Sequence, residues 1–164
     1  MSSSETSKTW LSQDAYDRLQ AELDQMIADR PAIAAEINAR REEGDLRENG
    51  GYHAAREEQS KAEGRIQYLK ELLRNAEVGD APDAGKVAPG TVVTIYFDDD
   101  QSDTETFLLG SREIASTTDL TVYSPESALG TAILGATEGQ TVTYTAPSGA
   151  DIKVTVVKFA PYGS

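Results

Sequence analysis

The chain has no cysteine, one histidine and one tryptophan. Without cysteine there are no disulfides and no thiolate metal sites, which fits a reducing cytoplasm. A lone histidine, His53, excludes a zinc cluster, and no second histidine or cysteine supports a nucleophilic triad. No apolar run approaches membrane-spanning length, and Met1-Ser2-Ser3-Ser4-Glu5 lacks the basic-then-apolar order of an export signal. A soluble, cytoplasmic protein with no membrane association is expected. Basic residues are also scarce: 15 Lys and Arg stand against 28 Asp and Glu, for a net charge of -13. Both halves are acidic. Because proteins bind phosphate backbones mainly through positive charge, autonomous DNA or RNA binding is not expected, and any nucleic acid is expected to be presented by another protein. The glycines of the C-terminal half match neither phosphate-loop pattern.

What the chain does have is two long heptad runs. Tyr16, Leu19, Leu23, Met26, Arg30, Ile33, Ile37 and Arg40 recur in alternating steps of three and four, as do Tyr52, Ala55, Gln59, Ala62, Ile66, Leu69, Leu73 and Ala76. Paired in mirror order about a midpoint near residue 48, they predict an antiparallel coiled-coil hairpin over residues 12–78, after a flexible lead over 1–11. Ser12 is placed to cap the first helix, with Asp14 in its first turn and a Leu11–Tyr16 staple. Trp10 is read as packing at the arm's base. Pro31 is expected to kink the helix, since the heptad phase resumes unchanged at Ile33. Gly44 stops the first helix near Glu43, and the second runs from about Gly51 to about Glu77. Each arm is on the order of 45 Å long at ~1.5 Å per residue, too slender to enclose a pocket. Chemistry on such a rod has to occur at its end, the tip over 44–52.

Residues 79–88 read as a linker, and 89–164 as a small globular domain. Thr91–Phe97 and Thr104–Leu109 predict a hairpin about an acidic turn, Leu120–Tyr123 a further strand, and 141–144 with 152–157 a last hairpin. Ser124-Pro125 is expected to open a short helix that Gly135 closes. The fold class is therefore α+β: a helical hairpin, then an antiparallel sheet with one helix packed on it.

Two acidic clusters invite metal readings. The turn Asp98-Asp99-Asp100-Gln101-Ser102-Asp103 lacks the glycine and the final acid of a calcium loop, and reads as a solvated turn that discourages edge pairing. At the tip, Asp45 and Glu48 lie three positions apart. As an acidic analogue of a capping box they would simply start the second helix, the reading periodicity alone favours. As an exposed carboxylate pair they would bind Mg²⁺ weakly by themselves, and would need a partner's carboxylates and a substrate phosphate to complete a site. His53, beside the tip, reads as a surface or packing residue.

The run Arg41-Glu42-Glu43-Gly44-Asp45-Leu46-Arg47-Glu48-Asn49, then Tyr52-His53-Ala54-Ala55-Arg56-Glu57 and Glu63-Gly64-Arg65-Ile66, resembles the bacterial Gre transcript-cleavage factors, the GreA branch more than GreB. Ser124-Pro125 with Ala132-Ile133-Leu134-Gly135 is similar to that family's C-terminal signature, and the likeness runs from about Leu11 to Phe159. The resemblance implies a coiled-coil arm and an FKBP-like C-terminal domain that docks at the rim of the RNA polymerase secondary channel, with Ser124 and Pro125 as docking candidates. It implies that the arm reaches the active centre of a backtracked elongation complex. There Asp45 and Glu48 would help hold the polymerase's second Mg²⁺ and position water for hydrolysis of the nascent RNA 3′ end, while Leu46, Asn49 and Tyr52 shape the tip. The protein would then be a monomeric transcription elongation factor and not an enzyme by itself. The runner-up is a Gre-like polymerase inhibitor in the same channel. A third reading, from another class, is an FKBP-like isomerase or chaperone. Gly50-Gly51 departs from many relatives, and two glycines are expected to loosen the start of the second helix by about 1 kcal/mol each relative to Ala. Arg56, Lys61, Arg65, Lys70 and Arg74 are candidates to touch RNA, but acids intervene, and a solvated mixed-charge helix explains them as well.

Overall fold

In a computed structural model describing residues 8–44, 49–79 and 85–163, the chain divides into two compact units. One is Asp17–Asn75; the other combines Met1–Tyr16 with Ala76–Ser164.

The helices are α1 (Gln13–Ala28), α2 (Arg30–Arg41) and α3 (Gly50–Arg74). Ser12 starts α1 as expected: its Oγ accepts the Ala15 N–H at 3.2 Å and its carbonyl the Tyr16 N–H at 2.9 Å. Every position of the two predicted heptad runs is buried or half-buried. Leu19, Leu23 and Ile37 on one side and Ile66, Leu69 and Leu73 on the other are the most enclosed within the helical unit. Cross-helix contacts run in opposite chain directions, Glu22 with Arg65, Arg30 with Glu63 and Arg40 beside Gly51, so α3 is antiparallel to α1 and α2. All three pairs are centred before residue 48.

The interruption expected at Pro31 is present and short. Only Asp29 separates α1 from α2, and it keeps right-handed helical angles of φ -81° and ψ -10°. Its N–H reaches Gln25 O at 2.9 Å, and its carbonyl accepts the Ile33 N–H at 3.1 Å. The proline sits in the first turn of α2, where a missing N–H costs least, and the chain stays in helical phase.

The second unit carries a five-stranded sheet in the order β5-β4-β3-β7-β6. Its strands are β3 (Thr91–Phe97), β4 (Thr104–Leu109), β5 (Thr121–Tyr123), β6 (Thr141–Thr145) and β7 (Asp151–Pro161). Both hairpins predicted from sequence form in antiparallel register, Val93 opposite Phe107 and Val142 opposite Val154. The sheet is mixed, however, and not antiparallel throughout. A 3-10 helix over Arg112–Thr117 carries the chain across, so that β5 lies parallel to β4. A register shift at Thr94/Ile95 keeps both ends of β3 paired with the long β7. Val93, Ile95, Phe107, Leu109, Val154 and Val156 form the core with Leu129 and Ile133 of α4 (Ala128–Ile133).

Thr9–Leu11, expected to belong to a flexible lead, instead form strand β1. It pairs in parallel with β2 (Ala76–Val78), residues expected to end the second helix. Trp10 explains the ordering. It is 5% exposed, donates its indole N–H to Gly79 O at 2.9 Å, and meets Tyr162 edge-on at 6.0 Å between ring centres. Burying so large a ring with its one donor satisfied anchors the segment. Among the described residues no helix is long and apolar enough to cross a membrane.

Candidate functional site

The hairpin tip is built from the end of α2 and the start of α3. At the end of α2 the Glu43 N–H turns back to Arg40 O at 3.1 Å, and Gly44 follows at φ +147°, a backbone angle that disfavours any side chain. At the start of α3 the N-cap is Asn49, in extended conformation at φ -89° and ψ 92°. Its Oδ1 accepts the Tyr52 N–H at 2.9 Å, and its carbonyl accepts the His53 N–H at 3.1 Å. Its Nδ2 donates to Arg40 O.

Asp45, Leu46 and Glu48 lie outside the described residues. The described flank nonetheless bears on the capping alternative. A capping box led by Asp45 would make that residue the N-cap, whereas Asn49 takes the position four residues later. The sequence contained the signal, an Asn immediately before the helix, but the three-residue spacing of the two acids drew attention away from it.

Arg40 braces the tip from the other side. Its guanidinium binds Glu36 at 2.7 Å and approaches Glu43 at 3.6 Å, and the bond to Glu36, foremost, raises its pKa. Its Cδ lies 3.2 Å from where a Cβ on Gly51 would stand, so Gly51 leaves room for Arg40, while Gly50 faces open space. Tyr52 is half-buried and meets the His53 ring edge-on at 5.4 Å. Beneath the tip, Ala32, Ala54, Ala55 and Gly51 are too small to fill the space between α2 and α3. An open groove of about 570 Å³, which sequence reasoning did not foresee, lies there, lined also by Ile33 and by the charged Asp29, Glu36, Arg40 and Glu58.

The basic residues of α3 are largely engaged. Arg65 is forked onto Glu22, Lys61 stands 3.9 Å from Glu57, and Arg74 binds Glu71. Among the described residues no group of three or more His, Cys, Asp or Glu could hold a metal ion. The acidic turn after β3 is held by contacts within it and to β7. Asp100 accepts from the Ser102 hydroxyl and N–H, which lowers its pKa, and Asp99 pairs with Lys153 at 3.0 Å.

Ser124 and Pro125 form a turn before α4 and do not open it. The N-cap is Ser127, whose Oγ accepts the Gly130 N–H at 3.0 Å and donates to Ser124 O at 2.7 Å. Thr131 Oγ1 donates to Pro125 O at 3.1 Å. Gly130 is indispensable to this arrangement, since a Cβ there would fall 2.1 Å from Ser124 O.

Comparison with known proteins covers both units. Residues 9–78 match the family described as "Transcription elongation factor, N-terminal", and residues 81–161 match "Transcription elongation factor, GreA/GreB, C-term". The chain is 62% identical over 160 residues to "Transcription elongation factor GreA" of Mycolicibacterium smegmatis, covering 96% of this chain and 98% of the relative. It is 58% identical over 162 residues to the protein of the same description from Mycobacterium tuberculosis, covering 98% and 99%. Among solved structures, the GreA factor homolog 1 (Gfh1) protein of Thermus thermophilus matches at 22% identity with a TM-score of 0.41, over 93% of this chain and 99% of that one.

Proposed function

This chain belongs to the GreA/GreB transcription elongation factor family, and we propose that it stimulates RNA polymerase to cleave the 3′ end of backtracked nascent RNA. The elongation-factor role rests on relatives of that description matched over nearly the whole chain. The partner is RNA polymerase, entered through its secondary channel, with nascent RNA met only inside it. A net charge of -13 fits a factor that does not bind nucleic acid by itself.

Asp45 and Glu48 are the residues assigned to the chemistry. The observation that carries this assignment is the cap of α3: because Asn49 starts the helix, the acids are not required for that task. Two carboxylates are hard oxygen donors and suit Mg²⁺, but two ligands leave most of its six positions to others. The rest of the site belongs to the polymerase, which makes this protein an activator of the polymerase's own hydrolysis and not an enzyme alone. Mg²⁺ held there would supply Lewis-acid stabilisation of phosphoryl charge and a more acidic water. The two carboxylates would help hold the ion and accept hydrogen bonds from its water. Leu46, Asn49 and Tyr52 shape the tip, and the turn at Ser124 and Pro125 is the proposed docking element.

The test is RNA release from a stalled, backtracked elongation complex. Wild-type protein gives Mg²⁺-dependent short 3′ fragments, and the Asp45→Asn, Glu48→Gln double variant binds equally but gives none. A wild-type protein that blocks elongation without producing fragments identifies an inhibitor of the same channel instead.

A further inference from the structure

We infer that Asn49 is a positioning residue that closes the arm's tip from both sides, and that its carboxamide is required for a contact beyond the helix cap. The inference rests on the cleavage reading above for its functional consequence, but its geometry lies wholly in described residues.

The two ends of the Asn49 amide do different work. Oδ1 accepts the Tyr52 N–H and so caps α3, while Nδ2 donates to Arg40 O in the last turn of α2. One short planar group therefore ties the end of α2 to the start of α3. The anchoring carbonyl is itself held. It also accepts the Glu43 N–H, and the Arg40 side chain is fixed by Glu36 and Glu43 and packed over Gly51.

Capping alone does not call for asparagine. It needs only an acceptor, and Ser or Asp serves equally well. Reaching Arg40 O needs a donor at amide length, which neither of those side chains offers. Asn49 directly follows Glu48 in sequence, so the latch fixes the residue to which the segment bearing both acids is attached. A displacement of about 1 Å at a reacting group is enough to cost one to two orders of magnitude in rate.

The experiment uses the full chain with Asn49→Ser, which keeps the cap acceptor and removes the longer-reaching amide donor, and Asn49→Ala, which removes both. Two readouts are taken: cleavage by backtracked complexes as a function of factor concentration, and amide hydrogen exchange of the free protein. The expected result for Asn49→Ser is wild-type helicity and wild-type half-saturating concentration. Its maximal cleavage rate falls about tenfold, and the Glu42 and Glu43 amides exchange faster. Asn49→Ala additionally loses protection at Tyr52. An Asn49→Ser protein with wild-type maximal rate and unchanged exchange at Glu42 and Glu43 overturns the latch and leaves Asn49 as a cap only. Absence of cleavage by the wild-type protein overturns the cleavage reading instead, and the exchange measurement still decides the latch.

Discussion

The guanidinium of Arg30 and the carboxylate of Glu63 face each other across α2 and α3 in two parallel hydrogen bonds of 2.9 and 2.8 Å, one residue before Pro31. On the other side of the same helix junction, Arg65 reaches Glu22 in a second fork, at 2.8 and 3.0 Å. The proline removes one backbone donor at this junction, and the two forks bracket it. Planar guanidinium–carboxylate pairs fix orientation better than single-point contacts do, so they hold α3 in register where the opposing helix is interrupted.

Acid is expected to loosen this bracket. Hydrogen bonding from Arg65 holds the Glu22 carboxyl below its ordinary value of 4.5, and Arg30 does the same for Glu63. A carboxylate whose pKa is lowered by folding contributes fully above that ordinary value, and its contribution fades as pH falls through the lower folded one. Both pairs are substantially exposed, so the effect is small and screened by salt. In thermal melts followed by helical circular dichroism, the Glu22→Gln, Glu63→Gln variant is expected to melt lower than wild type at neutral pH, with the gap closing below about pH 4.5. A gap that stays constant with pH contradicts the bracket.

Tyr123 provides a second pH signature. Its hydroxyl donates to Glu105 Oε2 at 2.7 Å, and its ring meets Phe107 edge-on at 4.8 Å. The bond to Glu105, followed by burial, pushes the phenol up from 10.0 to about 12. A group whose pKa is raised by folding stabilises fully below its unfolded value and loses that contribution as pH climbs through the folded one. The ultraviolet titration difference between wild type and Tyr123→Phe therefore places this phenol late among the seven tyrosines. Glu105→Gln moves it earlier, whereas an unchanged titration in that variant contradicts the contact.

Gly130→Ala tests the turn proposed for docking. The added methyl meets backbone, not a flexible side chain, at Ser124 O, so the turn or the first turn of α4 has to move. A loss of about 1–3 kcal/mol is expected from the overpacking, measured by denaturant unfolding. Weakened polymerase binding is expected with it. A fully stable variant contradicts the close packing of Ser124 on α4.

Much of the fold can be read from the sequence because its signals are local and periodic. The Ser12 cap, the heptad seam and the two hairpins each follow from spacing within a few turns of chain. The misses are long-range or compete with a stronger local pattern. The pairing of Thr9–Leu11 with Ala76–Val78 joins segments far apart in sequence, and Ala76 also continued the heptad count of the helix. The parallel placement of β5 depends on an irregular 3-10 crossover with no clear period. At the tip, the identity of the cap was decided by the Asn49 amide, although two nearby acids offered a familiar spacing. The likeness to the Gre family offered Arg65 among candidate RNA contacts, beside a solvated mixed-charge helix, but neither reading could reveal Glu22 on the opposite helix.

Asp45 and Glu48 are proposed to serve chemistry inside the polymerase and not to hold the hairpin together. The most direct measurement compares wild type with Asp45→Asn, Glu48→Gln in backtracked elongation complexes, and reads RNA cleavage, polymerase binding and helicity from the same preparations. Cleavage lost by at least about 100-fold, at unchanged binding and helicity, is the predicted result. A variant that cleaves like wild type, or one that loses cleavage only because α3 melts, contradicts it.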